Sequence, residues 1–159
     1  MKINSSVLIG DRNEFAIEYQ VNKNNGHLFG HICIWIGNIK IGYYEDEVLL
    51  LVTKGALDRL LENIGEMDRR DLAGKKKEDL FKQIYSMEDA NGIYLISPGE
   101  SFDDFSFFAF SHEDTLYFCW KLNEVPFFDY DDYPQDIQLK AVPISVFKNV
   151  LQQWTEQLK

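Results

Sequence analysis

His27, His31 and Cys33 are of the residue types that ligate metals or activate nucleophiles, and they fall close together. If residues 27–36 form a regular strand, all three project from one face. Strand residues four apart lie about 13 Å from one another, whereas ligands of a shared zinc ion each sit about 2 Å from it. Only His31 and Cys33 could then meet at a common ion, and two ligands do not close a site. Ordinary sheet positions are the simpler reading. A nucleophilic serine finds no support either: no G-x-S-x-G stretch is present, and Ser97-Pro98-Gly99 lacks the elbow pattern. Gly26, Gly30 and Gly37 sit in hairpin context and not at a strand-to-helix turn, so they make no phosphate cradle. No cofactor is expected, and the chain reads as a non-enzyme.

The other chemistry-bearing feature is charge. Residues 100–136 hold ten acids against one base, Lys121, and the same window is crowded with Phe, Tyr and Trp. Its densest part runs Phe127-Phe128-Asp129-Tyr130-Asp131-Asp132-Tyr133-Pro134 behind Pro126, a composition that excludes a central strand and predicts a loop. Two readings compete. In one, a solvated loop carries the charges while its aromatics tuck into the core. In the other, Asp129, Tyr130, Asp131, Asp132 and Tyr133, with Asp103 and Asp104 as neighbours, form a docking surface for a basic protein. That surface would combine a steering field with large, rigid contact groups.

These residues need elements to position them. Residues 14–21 alternate, with Phe15, Ile17, Tyr19 and Val21 on one side, as a strand with one wet face does. Residues 27–36 read as a more central strand, joined through a Gly37-Asn38 hairpin turn to residues 39–44 and then to a strand at 48–52. Thr53 can cap a helix over 54–64, where Leu57, Leu60, Leu61 and Ile64 make one stripe and Gly65 supplies the stop. Residues 66–77 are polar and predict an exposed connection, followed by an amphipathic helix at 78–87. After a turn at Asn91-Gly92, strands are expected at 93–96, 105–111, 115–122 and 136–142. Ile144, Phe147, Val150, Leu151, Trp154 and Leu158 line one side of a closing helix, with Pro143 at its start. Strand runs with few crossover helices predict an α+β fold: an antiparallel sheet, built from an N-terminal meander plus later strands, packed with about three helices.

Length and composition bound the rest. The chain has 159 residues, 16 Lys or Arg against 26 Asp or Glu, and a formal charge of −10. A chain of this size buries about 70 % of its unfolded surface, which suits one domain over residues 1–159. At 45 % hydrophobic and 14 % aromatic it is too apolar for disorder. So acidic a protein is a poor ligand for nucleic acid or for acidic lipid, both of which demand Lys and Arg. Its longest all-apolar runs are five residues, at 32–36 and 48–52, and a spanning helix needs about 20. The start of the chain carries no secretory pattern, and two cysteines, Cys33 and Cys119, fit a reducing compartment. The expected location is the cytoplasm.

Residues 11–19, ending in Phe15-Ala16-Ile17-Glu18-Tyr19, are followed by Gly30, by Trp35-Ile36 and by Ile41-Gly42. Together they resemble the immunity proteins of bacterial polymorphic toxin systems, in the family immunity protein forty-two, which includes or adjoins contact-dependent growth inhibition immunity proteins. The resemblance spans residues 7–65 and rests mainly on strand and turn positions, so it assigns no functional residue. It implies a small cytoplasmic protein that binds and neutralises one cognate toxin C-terminal domain, commonly a nuclease. A nuclease must be basic around its substrate groove, and an acidic inhibitor complements that surface and associates quickly. The competing reading is a regulatory or scaffold module that uses the same acidic and aromatic loop on another basic partner. The oligomeric state stays open at this level.

Overall fold

The computed structural model describes residues 5–87 and 93–159. Alternation in the sequence becomes a first antiparallel sheet of β1 (Val7–Asp11), β2 (Phe15–Asn24), β3 (Leu28–Ile36) and β4 (Ile39–Ile41), in that order, with the short β5 (Val48–Leu49) also pairing to β3. Phe15 and Ile17 of β2 lie opposite Ile36 and Ile34 of β3, and all four are fully buried. Glu18 and Gln20 lie opposite Cys33 and His31 on the other face. Gly37 and Asn38 both take positive φ, +56° and +67°, the primed hairpin turn expected of that pair. Gly30 is obligatory for a different reason. It lies where the β2–β3 register shifts between Val21 and Lys23, and a Cβ there would sit 1.8 Å from the Gln20 carbonyl oxygen.

The second antiparallel sheet runs β6 (Phe105–His112), β7 (Thr115–Leu122) and β8 (Gln138–Pro143). Helix α2 (Lys77–Ser86) sets the rings of Phe81 and Tyr85 against Phe108 of β6. Helix α3 (Ile144–Gln157) packs on β1, β2 and β8, and Phe147, Val150, Leu151 and Trp154 are its buried residues. The sheets and α3 meet at an aromatic cluster: Phe15 stacks on Phe118 of β7 at 5.7 Å and meets Phe147 edge-on at 5.0 Å. The fold is α+β, with its strands divided between two sheets.

Several boundaries differ from the expectations. The apolar run 48–52 is a strand only at Val48–Leu49, and α1 (Leu50–Asn63) begins directly after it. A short apolar run is compatible with either state; here Leu50 and Leu57 share the buried side of a helix while Leu51 and Val52 face outward. Thr53 therefore lies inside α1 and does not cap it; its hydroxyl donates to the Pro98 carbonyl at 2.6 Å. The stretch 66–77 is not merely an exposed connection. A 3-10 turn over Ile64–Met67 leads into it, Met67 and Leu72 are fully buried, and the Arg69 amide donates to the Ser111 carbonyl at 2.8 Å. Within 93–96 only Leu95 bridges to Phe108, so no strand forms there. The turn expected at Asn91-Gly92 lies outside the described residues. Among the described residues, no helix is long and apolar enough to cross a membrane.

Candidate functional site: an acidic and aromatic loop

The β7–β8 connection carries the loop singled out by composition, and a single carboxylate shapes it. Asp104, just ahead of β6, is 8 % exposed. Its Oδ1 accepts the Phe127 amide at 2.7 Å, and its Oδ2 accepts the Phe128 amide and the Tyr130 hydroxyl, both at 3.0 Å. The Asn123 amide donates to the Asp104 carbonyl at 2.8 Å, which closes the base of the loop. Three hydrogen bonds from the protein satisfy this anion, as a buried carboxylate requires. Asp104 is a bracket for the loop, not a charge offered to solvent.

The two tyrosines are held in the same way. Both are half-buried, and each ring meets Phe105 edge-on at 5.3 Å. The Tyr133 hydroxyl accepts the Trp120 indole N–H at 3.1 Å. Burial raises both phenols, and for Tyr130 the hydrogen bond to the Asp104 carboxylate adds to the rise. Phe128 stacks flat on Tyr43, with ring centroids 4.1 Å apart and planes 6° from parallel. The Tyr43 amide in turn donates to the Ser101 carbonyl at 2.8 Å. Gly42 permits this approach: its φ is +104°, and a Cβ there would come within 2.8 Å of the Phe102 ring.

With the frame fixed, Asp129, Asp131 and Asp132 are exposed, as is Asp103. Phe127 is 86 % exposed and Val125 is 91 % exposed, so two apolar side chains near each other in sequence face solvent on this loop. A cleft of about 470 Å³ opens beside Tyr43, lined by Lys40, Glu45, Asp129, Tyr130, Asp131 and Tyr133 among others. A second, of about 440 Å³, opens beside Phe128, lined by Asp46, Glu100, Asp103, Asp104, Phe127 and Phe128. Burial, then the neighbouring Glu100 and Asp104 charges, push the Asp103 carboxyl above the ordinary range. Exposed apolar side chains bordered mostly by acids, with Lys40 as the base in the first cleft, are an arrangement suited to protein docking.

The structure thus brings all seven sequence candidates into one region but divides them between scaffold and surface. Sequence reasoning passed over Tyr43, Glu45, Asp46 and Glu100, which reach the loop from distant positions, and left Val125 unmarked. Only the placement of Val125 between Glu124 and Pro126, outside any strand pattern, hinted at its exposure.

The metal-type residues are employed elsewhere. His31 Nδ1 lies 2.8 Å from the Tyr44 carbonyl oxygen and 3.1 Å from that of Asp46, and Nε2 lies 2.8 Å from the Asn22 side-chain nitrogen. These partners occupy both ring nitrogens, with carbonyl oxygens at Nδ1 and an amide nitrogen at Nε2. Cys33 is buried, and that burial, with Glu18 nearby, pushes its thiol up to about 12. Among the described residues, no group of three His, Cys, Asp or Glu side chains could hold a metal ion.

The fold is shared with a solved structure. CdiI from Burkholderia dolosa AUO158 has a crystal structure that superposes with a TM-score of 0.70 at 15 % identity, covering 95 % of this chain and 99 % of that one. At that identity the likeness establishes the architecture alone. The sequence matches the family immunity protein 42 over residues 6–157, and the chain belongs to that family. It is therefore a toxin-neutralising immunity protein by family. No curated protein matches it.

Proposed function

We propose that this chain protects a bacterial cell by binding one cognate toxin C-terminal domain of a contact-dependent growth inhibition system, and that the toxin is a basic nuclease. The chain acts in the cytoplasm by occupancy, as a single domain without catalysis. Its acidic and aromatic loop meets the basic surface of the toxin: Asp103, Asp129, Asp131 and Asp132 steer the encounter, and Tyr130 and Tyr133 supply the rigid floor. The observation that carries this reading is the loop itself. A buried Asp104 holds it so that three aspartates and the Phe127 ring face solvent around two clefts. A nuclease groove gathers Lys and Arg to neutralise phosphates, and an acidic surface of this kind complements it and raises the association rate. Co-expression with the toxin domain encoded beside it tests the reading. Protected growth and co-purification are expected; unprotected cells and separate elution would contradict it.

A further inference from the structure

A third cleft lies beyond the two that flank the loop. It measures about 310 Å³ and is lined by Phe29, Val48, Leu49, Val52, Glu47 and Glu100 among others. It is adjacent to the second of those two, and Glu100 lines both. Its apolar wall is open to solvent, with Leu49 40 % and Val52 49 % exposed. Its opposite wall is built, not incidental. The buried Thr53 hydroxyl holds the Pro98 carbonyl at 2.6 Å, and Gly99, at φ +125°, turns the chain so that its Cβ position lies 3.5 Å from Val52. Glu47 and Glu100 both line this cleft; Glu47 is paired to Lys23 at 3.6 Å and accepts the Asn22 side-chain amide at 2.9 Å, so Glu100 is the acid that continues the negative border of Asp46 and Asp103 in the neighbouring cleft.

We infer that the Leu49/Val52 cleft is an anchor pocket for the same toxin, receiving an apolar side chain that is flanked in the toxin by Lys or Arg. The inference rests on the toxin-binding reading and extends it. Charge complementarity selects the occupant: an apolar pocket bordered by the Glu100 carboxylate, with Asp46 and Asp103 in the next cleft, rejects an acidic segment and favours one that places a cation over Glu100. An apolar anchor in a preformed pocket, surrounded by complementary charge, is also where binding energy concentrates. The toxin would then lie along a groove that runs from this pocket past Phe127 to the Tyr43–Phe128 stack.

Val52→Lys tests it, since an exposed side chain can change without harm to the core. Binding of the purified toxin domain is measured beside two other variants: Leu8→Lys, at a leucine 43 % exposed on β1, and the triple change of Asp129, Asp131 and Asp132 to Asn. Expected is a Kd raised about tenfold or more by Val52→Lys at unchanged Tm, with Leu8→Lys binding as the parent does. If Val52→Lys melts lower, Val52→Ser and Leu49→Ser carry the same test. Equal losses for Val52→Lys and Leu8→Lys would overturn the pocket in favour of a general charge effect. A free chain that is dimeric, and that Val52→Lys makes monomeric without loss of toxin affinity, would overturn it in favour of a self-interface. Unchanged affinity for Val52→Lys while the triple variant associates more slowly removes the pocket and leaves the loop reading intact. Unchanged binding in both removes both.

Discussion

The Tyr130 hydroxyl donates to the Asp104 carboxylate at 3.0 Å, so a charge that composition alone would assign to the surface is spent on fixing the aromatic floor beneath the surface charges. That same carboxylate holds two backbone amides of the loop. The acidic face therefore depends on an anion that is itself 8 % exposed.

Asp104→Ala should cost about 3 kcal/mol in urea unfolding, because hydrogen bonds to a charged group contribute about 1.5–3 kcal/mol and the orphaned donors add a penalty. Asp104→Asn keeps one carbonyl acceptor and should lose less. Both variants should bind toxin more weakly than their stability loss explains, since the loop is released. A loss under about 1 kcal/mol for the Ala variant would mean that water substitutes for the carboxylate.

Asp103 should reveal a stability cost carried by the surface. Burial, then Glu100 and Asp104, raise its carboxyl in the folded state. An acid raised on folding binds its proton more tightly in the native chain, so the ionised form penalises the fold. The penalty is full above the raised value and absent below the ordinary carboxylate range. Asp103→Asn should melt higher than the parent at pH 7, and the gap should close as pH falls through that range. A gap that widens on acidification would contradict the assignment.

Trp154 is fully buried on α3, and among the described residues its indole Nε1 has no hydrogen-bond partner. Trp154→Ala should cost about 3–5 kcal/mol. Trp154→Phe should cost much less, because it removes the unpartnered N–H together with part of the volume. Toxin affinity should follow folding alone in both, as measured by urea titration and binding in parallel. Lost protection with a stability change under about 1 kcal/mol would place Trp154 at the interface instead.

Local pattern carried much of the fold into view. The alternation of Phe15, Ile17 and Tyr19, the Gly37-Asn38 turn and the stripe from Phe147 to Trp154 each have one physical reading, and the structure contains each. The run 48–52 has two, and burial of Leu50 beside Leu57 decides between them only once the sheet exists. The short β1 offers only Val7, Leu8 and Ile9 in a row, which have no period, and its pairing with β2 defines it. At the site, composition located the loop but could not sort its acids. That Asp104 turns inward while Asp103 stays exposed depends on amides at Phe127 and Phe128 that fold back from beyond a β-hairpin. The Tyr43–Phe128 stack is likewise a tertiary contact between the two halves of the chain, with no local signal.

The association rate of the triple variant, Asp129, Asp131 and Asp132 to Asn, measured against the cognate toxin domain across a salt series, tests the acidic face most directly. The substitution is gentle on the backbone, because Asp132 sits at φ +52° and Asn tolerates that conformation. Exposed charges act over about 8 Å at physiological ionic strength. The variant should therefore associate about tenfold more slowly at low salt, with a flattened salt dependence, an unchanged Tm and a dissociation rate close to the parent's. A folded triple variant with the parent's association rate and salt slope would contradict the account, and the toxin would have to meet another face of the protein.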